Sequence, residues 1–252
     1  MRLLRAETVK LGTVATNLWL LLGTAGGMVA LGATVTATVH IDQCTSPAEC
    51  FEDTTRLGLS GVHLGQILVI VLAVLCVSGE HDTGMIRTTF AAAPRRLRVF
   101  AAKAAVVTGA ALAAGALAVA GSIALARPIL RHNGFAHLPA PAEGPSLRAA
   151  VGTVLYLGLI AVLSLGLAAL VRDTAVAITA AVGLLYLFPI VSQFVDSDLI
   201  RTYGPLSAGL AVQATVGLDH ARIGPWAGLA VLAGWAATFA LAGAARFVLS
   251  DP

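Results

Sequence analysis

Residues 59–78 read LSGVHLGQILVIVLAVLCVS, twenty residues without one Asp, Glu, Lys or Arg. A helix that crosses a bilayer's hydrocarbon core needs roughly 20 predominantly apolar residues, so this stretch is predicted to be a membrane span. Similar runs cover Leu11 to Val39, Ala104 to Ala126, Ala149 to Val171, Thr174 to Phe194 and Pro225 to Ala245. None of the six contains a carboxylate, lysine or arginine, and His63 is the one histidine within them. The composition agrees: of 252 residues, 58% are hydrophobic and 12% charged, and the mean hydropathy is +0.87. That leaves too little polar surface to cover a water-soluble globule. The expectation is an all-α polytopic membrane protein with six transmembrane helices, forming one transmembrane domain over residues 1–252.

Small residues recur at helical spacing, as Gly23 with Gly27, Ala111 with Gly115 and Ala230 with Gly234. Such small-xxx-small faces let helices approach closely in lipid. The first span follows Arg2, Arg5 and Lys10 and ends near Val35-Thr36-Ala37, which has the look of a signal-peptidase site. Its apolar run exceeds the 7–15 residues of a signal core, so it reads as an uncleaved anchor.

Six spans place both termini on one side, and basic residues choose the side. One set of connections holds Arg2, Arg5, Lys10, Arg87, Arg95, Arg96, Arg98, Lys103, Arg172 and Arg246. The other holds six basic residues, Arg56, Arg127, Arg131, Arg148, Arg201 and Arg222, together with eight acidic ones. The ten-residue side is predicted to be cytoplasmic, with both termini, in a bacterial plasma (inner) membrane.

Cys44 and Cys50, in CTSPAEC, fall in the first external loop, where an oxidising environment permits a short disulfide ring. Two unpaired thiols are the alternative, because short rings are sensitive to strain. Cys76 lies within the second span and reads as packing. His132 and His137 occupy the second external loop with no further ligand beside them, so no metal site is expected.

Charge gathers in one place, GEHDTGMIRTTFAAAPRRLRVFAAKA, residues 79–104. Asp82 or Thr83 offers a cap for a short helix on which Met85, Ile86, Thr89 and Phe90 share one face and Arg87 turns away. Pro94 then breaks the helix and can open the next. Arg95, Arg96, Arg98 and Lys103 are placed at the membrane interface as basic anchors. They leave the apolar face of Met85, Ile86 and Phe90 unexplained, and such a face calls for a protein partner or the lipid interface.

The order Glu80, Gly84, MIRTTFAAAP, Arg95, Arg96, Lys103 resembles the loop between the second and third spans of type-2 ATP-binding-cassette (ABC) exporter permeases. The charged MRLLRAETVKLGT before the first span and YGPLSAGLAVQATVG between the fifth and sixth fit the same pattern, so the resemblance covers nearly the whole chain. It implies a coupling helix within residues 80–90, in which Glu80, Gly84, Met85, Ile86, Arg87 and Phe90 engage a separate ATPase subunit. It also implies two ATPase copies and a second permease chain, the same or related, with the first, second and fifth spans at the dimer axis. In that scheme ATP and Mg belong to the partner, and this chain holds no cofactor. The PLSAGLAVQA stretch becomes a re-entrant or interfacial helix, too short at ten residues to span.

A phosphate-binding loop needs a lysine directly after glycine. Lys10 and Lys103 are the chain's only lysines, and neither follows one. No Ser/His/Asp arrangement, H-E-x-x-H or intramembrane carboxylate pair is present, so no catalytic residue is assigned and the chain is not read as an enzyme. The scattered basic residues carry no nucleic-acid recognition motif. An exporter permease is the leading function, and its uncharged pathway suits a lipophilic drug, a peptide antibiotic or a lipid. The alternatives are an ion-coupled secondary transporter and a non-transporting scaffold. Proton coupling usually needs an ionisable residue inside a span, whereas the spans offer Asn17, Gln66, Tyr156, Tyr186, Gln193 and His63.

Overall fold

A lipid-embedded segment must satisfy its backbone hydrogen bonds internally, and six helices in the computed structural model are long and apolar enough to do so across a bilayer. The structure describes residues 2–40, 53–82, 96–135, 138, 140, 144–194, 198–218 and 221–249. The helices are α1 (Arg2–Thr13), α2 (Ala15–Thr38), α3 (Thr54–Gly58), α4 (Val62–Asp82), α5 (Arg96–His132), α6 (Gly144–Val171), α7 (Thr174–Phe194), α8 (Asp198–Tyr203), α9 (Pro205–Leu210) and α10 (Pro225–Leu249). A single 3-10 turn, Ala211–Gln213, follows α9. No strand occurs among the described residues.

The fifth expected span coincides with α7. Others differ at their ends for local reasons. The chain breaks at Val14, extended at φ −86° and ψ 111°, so the charged amino-terminal stretch is a helix of its own. Gly12, Thr13, Val14 and Thr16 are weak helix formers, and their cluster favours a break there. The third span grows to 37 residues, about 55 Å at 1.5 Å per residue. Its charged flanks, Arg96 to Lys103 and Arg127 to His132, extend the helix beyond the apolar run. At the far end Gly134 adopts φ +95°, Gly134 N donates to Arg131 O and Phe135 N to Leu130 O. That is a Schellman stop, with Phe135 packed on Leu130 and Ala126. Two residues, Arg172 and Asp173, join α6 to α7: Arg172 takes φ +66°, and Asp173 Oδ1 accepts from Val176 N at 2.8 Å.

α6 is the central helix, packed against α4, α5, α7 and α10, while α2 lies on α4 and α5. The α6–α10 crossing requires glycine at both sides: a Cβ on Gly166 would meet Ala240 N at 2.5 Å, and one on Gly243 would strike Gly166 O. Gly23 and Gly27 abut Leu68 and Leu64 of α4, and Gly115 abuts Leu157 of α6, as small faces should. Gly234 has nothing within 4 Å, so the third expected small face is not a packing face; Gly228 and Gly243 serve α10 instead.

After α8 the chain does not stay on the surface. Ala208, Gly209, Leu210, Val212 and Gln213 are all buried, and α9 with its turn packs among α6, α7 and α10. A Cβ on Gly209 would meet the Tyr156 ring and Leu232. Tyr156 is twelve residues, about 18 Å, along α6. The stretch therefore re-enters the bundle.

Candidate functional site

Polar chemistry concentrates at three levels of the bundle. At one end meet α1, the ends of α4 and α10 and the start of α5. Phe100 of α5 packs on Phe247 of α10 with the rings tilted and their centroids 5.6 Å apart, and Arg96 Nη1 donates to Val248 O at 3.4 Å. Glu7 of α1 accepts from Lys103 Nζ at 2.8 Å and from Lys10 Nζ at 3.2 Å. Glu7 is 7% exposed and Lys103 4%. Lys103, expected as a basic residue at the membrane interface, points its ammonium inward, onto a carboxylate that α1 brings to it. Opposite charges held this close offset the desolvation that either alone would suffer. Arg98 is exposed.

Beside this pair lies a cavity of about 580 Å³, lined by Glu7, Asn17 and Lys103 and by Cys76, Val106 and Val107 among others. It opens between α1, α2, α4 and α5. Asn17, 8% exposed, reaches Leu11 O with a long 3.5 Å hydrogen bond.

Midway through the bundle, Gln66, Tyr156 and Tyr186 form a relay across three helices. The Tyr156 hydroxyl donates to Gln66 Oε1, Gln66 Nε2 donates to the Tyr186 hydroxyl, and Tyr186 donates to His63 O at 2.7 Å. Gln66 and Tyr156 have no exposure at all. The relay ties α4, α6 and α7 together without a formal charge.

At the opposite end, Asp53 caps α3 by accepting from Arg56 N at 3.0 Å, and also accepts from the Thr215 hydroxyl at 2.7 Å. Gln213 donates to Thr153 at 3.0 Å and Arg148 to Ala214 O at 2.6 Å, so three contacts anchor the re-entrant stretch. A second cavity, about 420 Å³, lies between Arg56, Ser60 and His63 on one side and Leu210 and Gln213 on the other. Asn133 closes this end by donating to Thr36 O and Val39 O, at the end of α2.

Among the expected coupling residues, Gly84, Met85, Ile86, Arg87 and Phe90 lie outside the described residues, as do Arg95, Cys44, Cys50 and His137. Glu80 falls within the backbone of α4. Sequence reasoning missed Glu7. Its signal was a single acid amid Arg2, Arg5 and Lys10, three residues before a lysine. Among the described residues no group of three His, Cys, Asp or Glu is placed to hold a metal ion.

Six apolar crossings, a re-entrant stretch and polar clusters at both ends define an α-helical multi-pass membrane protein. No family model, curated protein or solved structure matches the chain.

Proposed function

We propose that this chain is the membrane-spanning permease subunit of an ATP-driven ABC exporter in a bacterial plasma membrane, with both termini cytoplasmic. It forms the translocation path as a dimer with an identical or related chain and couples through residues 80–103 to two copies of a separate ATPase, which hold ATP and Mg. One observation carries the reading most: both sides of the coupling segment are fastened into the bundle. α4 runs unbroken to Asp82 on one side. On the other, α5 is tied to α1 through Glu7 and Lys103 and to α10 through Arg96 and Phe100. A push on the segment from below would therefore be passed to the helices rather than absorbed. The uncharged Gln66 relay and apolar spans suit a lipophilic drug, a peptide antibiotic or a lipid as cargo.

An ion-coupled secondary transporter is the second reading, and the buried Glu7 is the observation in its favour. Its carboxylate, however, sits at the end of the bundle, in contact with two ammonium groups, and not within an apolar span. Energised cells separate the two. With ATP held constant, collapse of the proton gradient is expected to leave export unchanged, and tagged chain is expected to copurify an ATPase bearing a phosphate-binding loop. Export that stops with the gradient while ATP persists would discard the ABC reading.

A further inference from the structure

The cavity beside Glu7 and Lys103 has the size of a ligand site; such sites run roughly 300–1,000 Å³ with apolar walls and a few polar groups. Its walls include Leu75, Val106 and Val107. Val14 also lines it and is 47% exposed, at the extended link between α1 and α2. The cavity therefore reaches the protein surface at that link. At the same mouth α2 begins, and Val14 at its cap position supplies no side-chain acceptor for the first N–H groups. A helix start of this kind favours a negative oxygen. Three side chains stand around it. Lys10 keeps 39% of its side chain exposed while touching Glu7. Thr16 is exposed and lines the cavity. Asn17, more than nine-tenths buried, faces the cavity with one long hydrogen bond although its amide has capacity for four.

Ammonium, hydroxyl, amide and helix N-terminus together make a phosphate-binding set, and here they rim a largely apolar hollow that reaches the surface beside an apolar span. We propose that the cavity holds a membrane phospholipid, its phosphodiester at Lys10, Thr16, Asn17 and the start of α2 and one acyl chain between Leu75, Val106 and Val107. Because the phosphodiester is shared, phospholipids of different headgroups should all bind. The site depends on the membrane assignment alone and stands whether or not an ATPase partner exists.

Cys76 lines the same cavity and serves as the reporter. The full chain, with Cys44→Ser and Cys50→Ser, is purified in detergent, stripped of lipid and exposed to an uncharged thiol reagent. Adding dioleoyl phosphatidylglycerol or dioleoyl phosphatidylcholine is expected to slow Cys76 labelling about tenfold, the change a 1.4 kcal/mol preference produces. Dioleoylglycerol, which lacks the phosphate, and inorganic phosphate, which lacks the chains, are each expected to do little. Lys10→Gln with Thr16→Val is expected to erase the protection while leaving the helical circular dichroism intact. Val106→Trp, which fills the hollow, is expected to slow labelling without lipid and remove any further effect of it. Equal protection by dioleoylglycerol, protection by inorganic phosphate alone, or labelling indifferent to phospholipid would each overturn the proposal.

Discussion

Glu7 and Lys103 show how one residue pair fixes an end of the bundle. The ammonium and carboxylate are 2.8 Å apart and nearly devoid of solvent. Removing Lys103 leaves the buried Glu7 only its contact with the more exposed Lys10; breaking a buried pair costs about 3–5 kcal/mol, whereas replacing both by neutral groups of similar shape is often tolerated. Lys103→Met alone should therefore lower the thermal unfolding temperature of the purified protein sharply, and adding Glu7→Gln should restore most of it. If the single and double variants unfold together, the pair is not what holds α1 to α5. The Gln66 relay is held under the same rule: its amide satisfies two tyrosine hydroxyls that lipid could not.

Among the elements, α4 and α5 frame residues 83–95, and the coupling proposal is tested there. An apolar helical face flanked by charge gains affinity by seating in a partner's groove. Truncating a buried apolar anchor commonly costs about 2 kcal/mol or more, against about 0.2–1 kcal/mol for an exposed ion pair. Phe90→Ala with Ile86→Ala should leave the protein folded in the membrane but reduce ATPase recovery and uncouple hydrolysis from export. Arg95→Ala with Arg96→Ala should act more mildly on the partner. The reverse ranking, with normal binding by the alanine pair and none by the arginine pair, would move the contact to the basic run. The elements themselves were largely legible, because an uncharged run of spanning length has few other uses; the apolar run Thr174 to Phe194 coincides with α7. What escaped the sequence is pairwise. Nothing in the spacing of Glu7 and Lys103 says that α1 folds back onto α5, and the break at Val14 emerges only from several weak helix formers acting together. Gly234 looked like a packing residue by period and faces open space, since spacing defines a face but not its neighbour.

At the scale of the whole molecule, the contacts sort the described helix ends into two groups. Asn133 on Thr36 and Val39, and Asp53 on Thr215, gather the end of α2, the starts of α3 and α4, the end of α5 and the re-entrant stretch at one end. The end of α2 and the start of α3 belong to that end, and the end of α4 and the start of α5 to the other. In the proposed topology the ten-to-six division of basic residues puts the second end in the cytoplasm, because such residues near spans resist translocation. In intact cells an impermeant thiol reagent, applied after mild reduction, should thus label Cys44 and Cys50, while Thr88→Cys in a background lacking both should react only after the membrane is opened. The opposite pattern, with Thr88→Cys labelled from outside and the native pair silent, would invert the protein. It would also remove the ATPase from reach of residues 80–103, since ATP lies only on the cytoplasmic side. Sidedness and coupling therefore stand or fall together at this scale, whereas the all-α six-span fold survives either result.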